Sequence, residues 1–205
     1  MGPLVVAGIL VENDSELVRI GVCDSKQLTP KRREQLAPMI QKIASKYEII
    51  VLPAADIDDL RKTMTLNELE MFVYSKIIEK LRPDVCYVDA VDVKEERFGR
   101  DILSHLSYKP QMISEHKADA NYPIVGAASI LAKVTRDEHV RRIAQELEPK
   151  LNLPLGSGYP ADPITKKFLR TWVSQFGSLP PHVRKSWETC QQLRKNQNTK
   201  RLDDF

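Results

Sequence analysis

The chain has 205 residues, of which 42% are hydrophobic and 29% charged, and its formal net charge is only +3; this composition is typical of a globular, water-soluble protein of enzyme size. The longest uncharged stretch at the start, MGPLVVAGILV, is too short to span a bilayer and carries no secretory cleavage site, so nothing in it targets a membrane. The three cysteines are widely spaced, which argues against a disulfide framework or a zinc cluster and favours a reducing cytoplasm.

The N-terminal quarter is predicted to contain a hairpin, a helix and a further strand. The apolar runs Leu4–Val11 and Leu17–Val22 flank the polar turn ENDSE and predict two paired strands. A Thr-Pro pair then begins a helical stretch, Thr29 to about Ser45, and the run Tyr47–Leu52 predicts a strand.

Helices and strands alternate through the middle of the chain. Apolar residues recur at helical spacing in Thr65–Leu81, and Val85–Val88 is predicted to be a buried strand that ends at Asp89. The further predicted elements are a helix around Glu95–Leu106, a strand near Gln111–Ser114 and a long helix from about Pro123 to Leu147. Because strands and helices are interleaved rather than segregated, we predict an α/β sheet covered by helices.

The pattern changes after Leu153. A loop rich in glycine and proline, LPLGSGYPADP, is followed by a predicted helix at about Pro163–Gln175 and a basic tail interrupted by prolines. We therefore predict a main α/β domain, residues 1–153, and a small C-terminal helical subdomain with a basic tail, residues 154–205.

Charge is distributed unevenly along the chain. Nine Lys and Arg residues lie between Ile164 and Arg201, against the single acidic residue Glu188, so the rest of the chain is net acidic. This asymmetry is expected when one region holds phosphates and another holds metal ions. A solvated helical face is the alternative interpretation.

Two acidic residues are the candidate catalytic and metal-binding residues. Asp89 ends the strand in CYVDAVDV, and Asp119 lies in HKADANYP with lysines and a serine around it. Carboxylates at strand ends, beside cationic and hydroxyl side chains, suit a Mg²⁺ or Mn²⁺ site that faces a phosphodiester. Alternatively, Asp89 is a turn or helix-cap residue and Asp119 begins the next helix.

Several motifs occur together and in a fixed order. They are DSKQL at Asp24–Leu28, TLNEL around Asn67, YVDAVDV, HKAD followed by GAASILAKVTRD, GSGYPADP and VRKSW. The set resembles the type 2 ribonucleases H, specifically archaeal ribonuclease HII, over Gly2 to about Trp187. An unrelated nuclease with the same fold, such as a transposase-like enzyme, would not explain DSKQL and GSGY together.

The resemblance implies an RNase H-like fold, in which a mixed five-stranded sheet is flanked by helices and followed by a C-terminal helical extension. It implies an endonuclease that cleaves the RNA strand of RNA–DNA hybrids and cuts at ribonucleotides embedded in duplex DNA, leaving 3′-hydroxyl and 5′-phosphate ends. In such enzymes two divalent ions, Mg²⁺ or Mn²⁺, are shared by four carboxylates. Asp89 matches the third of these and Asp119 the fourth.

The sequence departs from the family at its start. The family's first strand carries an Asp-Glu pair and leads through a Gly-Arg/Lys-Gly loop into the Gly-Pro found here at Gly2. With only Asp89 and Asp119, we expect little or no nuclease activity from the chain as written, and unpaired edges on two neighbouring strands. A misplaced start, a natural truncation or a deliberate deletion would each explain the difference. The alternative function is a catalytically inactive protein that binds hybrids or a sliding clamp.

Ser25, Lys26 and Asn67 match family positions that contact the nucleic-acid backbone. There the lysine would supply charge and the serine a hydrogen bond. Judged on residue type alone, Ser25 and Lys26 could belong to an ordinary polar turn, and Asn67 could cap a helix.

The resemblance also assigns Lys133 to the active site or a phosphate and Tyr159 to the RNA-to-DNA junction, and Arg184 could extend the duplex-binding surface. A tyrosine on a glycine-rich loop can lay its ring on a sugar or base, near the 2′-hydroxyl that distinguishes RNA from DNA. The alternatives are a helix-face lysine, a loop tyrosine packed on the next helix, and an arginine that pins the C-terminal subdomain to the main domain. For Trp187 we expect packing.

The last residues, TKRLDDF, resemble the clamp-binding tail of some archaeal relatives. Leu202 and Phe205 would be the anchors for a sliding-clamp groove. Thr199 stands where such a tail has Gln, so the match is degenerate, and a disordered end is the alternative. We expect a cytoplasmic monomer.

Overall fold

The computed structural model describes residues 1–203, with side chains described as far as residue 195. The strands are β1 (Leu4–Leu10), β2 (Lys46–Leu52), β3 (Val85–Asp89) and β4 (Gln111–Glu115). The helices are α1 (Ser15–Arg19), α2 (Pro30–Ile43), α3 (Ala54–Leu60), α4 (Leu66–Leu81), α5 (Glu95–Ser104), α6 (Ala118–Asn121), α7 (Pro123–Leu151), α8 (Pro163–Phe176) and α9 (Glu188–Asp203). Within this described range, no helix is both long enough and apolar enough to cross a membrane.

Three of the predicted helices begin at local signals that the sequence displays. The Thr29 side chain accepts a backbone N–H of the first turn of α2, and Pro30 occupies its first position. Helix α4 begins with a reciprocal cap, in which Thr65 and Glu68 each bind the other's backbone N–H. Asp162 caps α8 in the same way that Thr29 caps α2. The sequence therefore located these helix starts correctly.

The predicted N-terminal hairpin is wrong. Its first strand exists as β1, but the run Leu17–Val22 forms α1 and a turn, and β1 pairs with β2 instead. The polar stretch starts a helix because Asn13 Oδ1 accepts a backbone N–H at the beginning of α1. Leu17 is fully buried while Val18 is 56% exposed, so the run supplies single apolar contacts to a core rather than one face of a strand.

Helices α3 and α9 were not predicted either. Helix α3 has seven residues, and Ile57 is its one large buried apolar side chain, which is too little to show helical periodicity. Helix α9 begins at Glu188, inside the segment predicted to be a tail interrupted by prolines. The prolines that suggested an irregular tail, Pro180 and Pro181, precede this helix and leave its start intact.

The four described strands form two separate pairs. β1 neighbours β2, and β3 lies parallel to β4 with Val85 opposite Gln111 and Asp89 opposite Glu115. Both strands of the second pair therefore end at the same edge, which is where HKAD begins. The predicted α/β class is confirmed, whereas the described strands do not complete the five-stranded sheet that the resemblance implies.

The chain divides into two compact units. The first contains residues 1–4, 52–63 and 136 onward, and the second contains residues 5–51 and 64–135. Buried side chains at the core of the first unit include Leu147, Leu155, Phe168, Trp172 and Val183. Those of the second unit include Leu17, Leu36, Ile40, Ile130 and Leu131 in one cluster and Val88, Phe98 and Ile102 in another. The boundary predicted between residues 153 and 154 lies inside the first unit, and as a division into functional domains it stays a prediction.

Candidate active site

Asp89 stands at the end of β3, in the second unit. Strand pairing continues to this point, because the Ala90 N–H donates to the Glu115 carbonyl oxygen at 2.9 Å. Asp89 Oδ1 accepts the backbone N–H of Ala118 at 3.1 Å. The half-buried carboxylate is thus positioned by backbone contacts on two neighbouring segments.

Asp119 lies one residue beyond that hydrogen bond, in the first turn of α6. Lys117 adopts the left-handed conformation, with φ of +58°, and so turns the chain from β4 into this short helix. The Asp119 side chain is only 5% exposed. Because Ala118 binds Asp89 and directly precedes Asp119, the structure brings the two predicted carboxylates together.

The surroundings of Asp89 disfavour its charged form. Burial, and then repulsion from Asp119, raise the pKa of Asp89, while the Ala118 N–H and the Lys26 ammonium act in the opposite direction. A pair of carboxylates held in this way is stabilised by a cation between or beside them.

Lys26 supplies a positive charge to this pair. Its Nζ lies 2.9 Å from Asp119 Oδ2. The hydrogen bond to Asp119 is the largest cause that raises the pKa of Lys26, and the charges of Asp24 and Asp89 add to it. The Lys26 side chain is 66% exposed, so its ammonium is accessible to a ligand from solvent.

Ser25 faces inward rather than toward solvent. Its hydroxyl lies 2.9 Å from the hydroxyl of Ser129 on α7, and the residue is 1% exposed. Asp24 Oδ1 accepts the Lys26 backbone N–H at 2.9 Å, which is the local turn that the alternative interpretation of this motif expected. The predicted contact between Ser25 and a nucleic-acid backbone stays a prediction.

Asn67 and Lys133 also lie in the second unit. The alternative that Asn67 caps α4 is wrong, because Thr65 and Glu68 form the cap and Asn67 is exposed in the first turn. Lys133 is half-buried on α7, one turn after Ser129. The roles predicted for both residues in substrate binding stay predictions.

Tyr159 belongs to a tightly bonded loop of the first unit. Asp162 Oδ2 accepts the backbone N–H and the hydroxyl of Ser157, at 2.6 and 2.7 Å, and these bonds hold the pKa of Asp162 well below its ordinary range. The Arg136 guanidinium lies 3.8 Å from the centroid of the Tyr159 ring, and Arg136 is buried. The ring is 42% exposed, so one part rests on a fixed cation while another part can contact a ligand.

Arg184 is turned into the first unit. Its guanidinium donates to the carbonyl oxygens of Gly2, at 3.2 Å, and Pro3, at 2.7 Å, and it lies over the Trp187 ring at 4.6 Å. With 9% of the residue exposed, these contacts favour the packing alternative over a surface phosphate contact. Its substrate-binding role stays a prediction.

Sequence reasoning missed Arg136 and Arg33. Arg136 lies in the motif AKVTRD, three residues after Lys133, but the motif does not reveal its contact with Tyr159. Arg33 lies outside that motif, and what sets it apart is that it is a charged residue at a buried position of α2.

The two predicted clamp anchors cannot be placed. Leu202 lies in the part of α9 whose side chains are outside the described residues, and Phe205 lies outside them altogether. Among the side chains that are described, no three His, Cys, Asp or Glu residues lie close enough to hold a metal ion together. A metal ion on this carboxylate pair would therefore need further ligands from water and a substrate phosphate.

A family model described as Ribonuclease HII matches residues 1–190. The chain is 44% identical over 195 residues to the Ribonuclease HII of Pyrococcus abyssi, which covers 94% of this chain and 85% of that relative. It is 44% identical over 204 residues to the Ribonuclease HII of Methanosarcina barkeri, with 95% and 89% covered.

Two solved structures are similar to the chain as a whole. The ribonuclease H2 of Pyrococcus horikoshii OT3 superposes with a TM-score of 0.86 at 40% identity, covering 97% of this chain and 92% of that one. The RNase HII of Archaeoglobus fulgidus, solved as a complex with PCNA, gives a TM-score of 0.84 at 39% identity, with 100% and 94% covered. These similarities confirm the predicted RNase H-like fold.

Proposed function

Because the chain belongs to the ribonuclease HII family, whose members are hydrolases that act as endoribonucleases, we propose that it cleaves the RNA strand of RNA–DNA hybrids and duplex DNA at embedded ribonucleotides. One observation carries this proposal. The Ala118 N–H donates to Asp89 and Ala118 directly precedes Asp119, so the two carboxylates are brought together, and the Lys26 ammonium contacts Asp119. The acidic pair can hold a divalent metal ion, and the exposed ammonium beside it can bind a phosphate, so this arrangement suits the cleavage of a phosphodiester.

The donor set fits Mg²⁺ or Mn²⁺. Both residues offer carboxylate oxygens, the ligands that hard divalent cations prefer, and Mg²⁺ is commonly bound by one or two carboxylates together with waters and substrate phosphates. The raised pKa of Asp89 fits too, because a carboxylate destabilised by burial and by a neighbouring carboxylate gains from a bound cation. Divalent ions held by Asp89 and Asp119 would activate the attacking water and stabilise the leaving oxygen.

The chain's own residues orient the reaction. Lys26, whose side chain is largely exposed, would bind a backbone phosphate beside the carboxylates, and Asn67 and Lys133 would add contacts to the same strand. Water then adds to phosphorus and gives up a proton as the bond to the 3′ oxygen breaks, and the 3′ oxygen takes up a proton, which leaves a 3′-hydroxyl and a 5′-phosphate.

Tyr159 is proposed to select the ribonucleotide. Its ring rests on Arg136 and is fixed by the hydrogen-bonded GSGY loop, so it presents a rigid surface on which a sugar can pack. The sugar of RNA carries a 2′-hydroxyl that the sugar of DNA lacks, and a fixed tyrosine can distinguish the two by ring contact and by hydrogen bonding.

Cleavage by carboxylate variants tests the proposal. The substrate is a labelled DNA duplex with one ribonucleotide, and the variants are Asp89→Asn and Asp119→Asn. Both should lose cleavage by about a hundredfold or more, because the cation ligands are lost. Asp84→Asn is the matched control, because Asp84 is exposed and lies just before β3, at the end of the strand away from Asp89. Equal loss in all three variants would point to a general defect and count against the assignment.

The number of carboxylates bears on a second candidate function. The described residues bring together two, whereas the family resemblance implies four. The second candidate function, binding without cleavage, is favoured by the same observation. Duplex affinity measured by fluorescence anisotropy separates the two, because the binding function predicts tight binding with no product under any metal.

We also propose that the C-terminal residues bind a sliding clamp. The support is the A. fulgidus RNase HII, 39% identical and solved with PCNA, together with the sequence of the tail. Titration calorimetry with an archaeal PCNA should show binding that the double change Leu202→Ala and Phe205→Ala abolishes. Binding that survives both changes would place the contact elsewhere.

A further inference from the structure

Helix α2 carries an arginine on its buried face. Its buried residues are Arg33, Leu36, Ala37 and Ile40, the spacing of a single helix stripe, and Arg33 is 7% exposed. Placing a guanidinium among apolar side chains is unfavourable unless its N–H groups are bound. The arginine therefore has a specific structural reason to be there.

That reason lies in the DSKQL loop. Arg33 Nη1 donates to the carbonyl oxygen of Ser25 at 3.1 Å and to that of Leu28 at 2.7 Å. These two carbonyls lie on either side of Lys26 in the chain. A single buried nitrogen thus fixes the path of the loop both before and after the lysine.

The loop is in turn connected to the carboxylate pair. The Ser25 hydroxyl contacts Ser129 on α7, and the Lys26 ammonium lies 2.9 Å from Asp119 Oδ2. Only the Lys26 side chain separates the segment held by Arg33 from Asp119. A shift of the Ser25 and Leu28 carbonyls would carry the Lys26 backbone with it.

We propose that Arg33 is a positioning residue that acts through Lys26: it fixes the DSKQL loop so that the lysine ammonium is held at Asp119. The importance of this for the reaction rests on the function proposed above. A lysine at position 33 would not be equivalent, because an arginine offers a planar group with several fixed donors, whereas an ammonium is a compact charge on a flexible stem.

The first measurement reads the position of Lys26 without nucleic acid or metal. The rate at which an acetylating reagent modifies Lys26 is measured by mass spectrometry. Lys31, an exposed residue of α2, is the internal reference. An ammonium bound to a carboxylate reacts slowly, so Asp119→Asn should raise the Lys26 rate. Arg33→Met should raise it too, by about threefold or more, as expected when a hydrogen bond of this kind is lost.

Arg32→Met is the matched control. Arg32 lies next to Arg33 and also donates to a backbone carbonyl, that of Ile20 at 2.7 Å, but this contact is outside the DSKQL loop. The control should leave the Lys26 rate unchanged. If Arg33→Met does not fold, Arg33→Lys replaces it and should give an intermediate rate. A Lys26 rate in the folded Arg33 variant equal to that of the unchanged chain would overturn the proposal.

The second measurement asks whether the effect passes through Lys26. Affinity for a duplex with one ribonucleotide is measured in EDTA for Arg33→Met, Lys26→Gln and the double variant. If Arg33 acts through Lys26, the double variant should bind as Lys26→Gln does, whereas independent effects would multiply and contradict the proposal. Wild-type affinity in Lys26→Gln would argue against the substrate role of Lys26, while the acetylation result would still decide the role of Arg33.

Discussion

At the scale of single residues, the Lys26 ammonium and a divalent cation need the same carboxylate. Lys26 lies 2.9 Å from Asp119 Oδ2, so its positive charge repels a cation that binds the same carboxylate. Lys26→Gln should therefore tighten Mn²⁺ binding, by about threefold to tenfold, because a competing positive charge is removed. Titration calorimetry of the protein with Mn²⁺, without nucleic acid, measures this.

The matched control for that titration is Lys31→Gln, which removes an exposed lysine of α2. It should leave Mn²⁺ affinity unchanged. Weaker Mn²⁺ binding in Lys26→Gln would contradict the competition and would mean that the lysine helps to assemble the site.

Asp89 should make stability depend on pH. Since burial and Asp119 raise its pKa above the ordinary 3.8, the folded protein holds this proton more tightly than the unfolded chain does. Stability from this group is complete below the unfolded value and falls as pH rises through the folded one. In EDTA at pH 7.5, Asp89→Asn should raise the melting temperature by about 2 °C, and the gain should disappear near pH 4.

The same gain at both pH values would show that the stabilisation arises from something other than titration of Asp89. Thermal unfolding is followed by circular dichroism at the two pH values. This is sufficient, because the melting temperatures of the unchanged chain and the variant are compared at the same pH each time.

Single residues differ in how far sequence alone locates them. Asp89 and Asp119 could be predicted, because Asp89 ends an apolar run, Asp119 lies in HKAD, and both motifs occur in the order that the family has. Arg33 and Arg136 could not, because an isolated arginine gives no sign of whether its guanidinium faces solvent, a carbonyl or an aromatic ring. Only the tertiary contacts with Ser25 and Tyr159 distinguish these cases.

At the scale of elements, α7 lies close to the site at Gly126. A Cβ there would lie 3.1 Å from the Asp119 carbonyl oxygen and 3.3 Å from that of Cys23, and both are backbone atoms that cannot rotate away. A helical Gly→Ala change ordinarily stabilises by about 0.5–1 kcal/mol. Gly126→Ala should instead lower the melting temperature and weaken Mn²⁺ binding, because the segments that carry Asp119 and Lys26 are pushed from α7.

Thermal unfolding and Mn²⁺ titration of the same sample check this prediction. A stabilised Gly126→Ala protein with normal Mn²⁺ affinity would show that the helix can move without disturbing the carboxylates.

The elements that the sequence located are those with a local cause. Caps at Thr29 and Thr65 and the apolar run before Asp89 act within a few residues, so they can be identified directly. The hairpin failed because strand identity depends on a partner, and the partner of β1 turned out to be β2, more than thirty residues further on. Pairing of that kind leaves no local trace.

At the scale of the whole molecule, the division of the chain does not follow sequence order. The first compact unit gathers residues from the start, from 52–63 and from 136 onward. A change in composition after Leu153 suggests a boundary there, but composition cannot reveal that distant segments share a core. Whether residues 154–205 act as a functional domain stays a prediction.

The central claim is that Asp89 and Asp119 carry metal-dependent cleavage at a ribonucleotide. The most direct measurement is cleavage of a DNA duplex containing one ribonucleotide, in Mg²⁺ and in Mn²⁺. It compares this chain with Asp89→Asn and Asp119→Asn. The account predicts a 5′-phosphate product that forms with the chain and with neither variant. Equal cleavage with Asp89→Asn, or tight binding without product in every version, would contradict it.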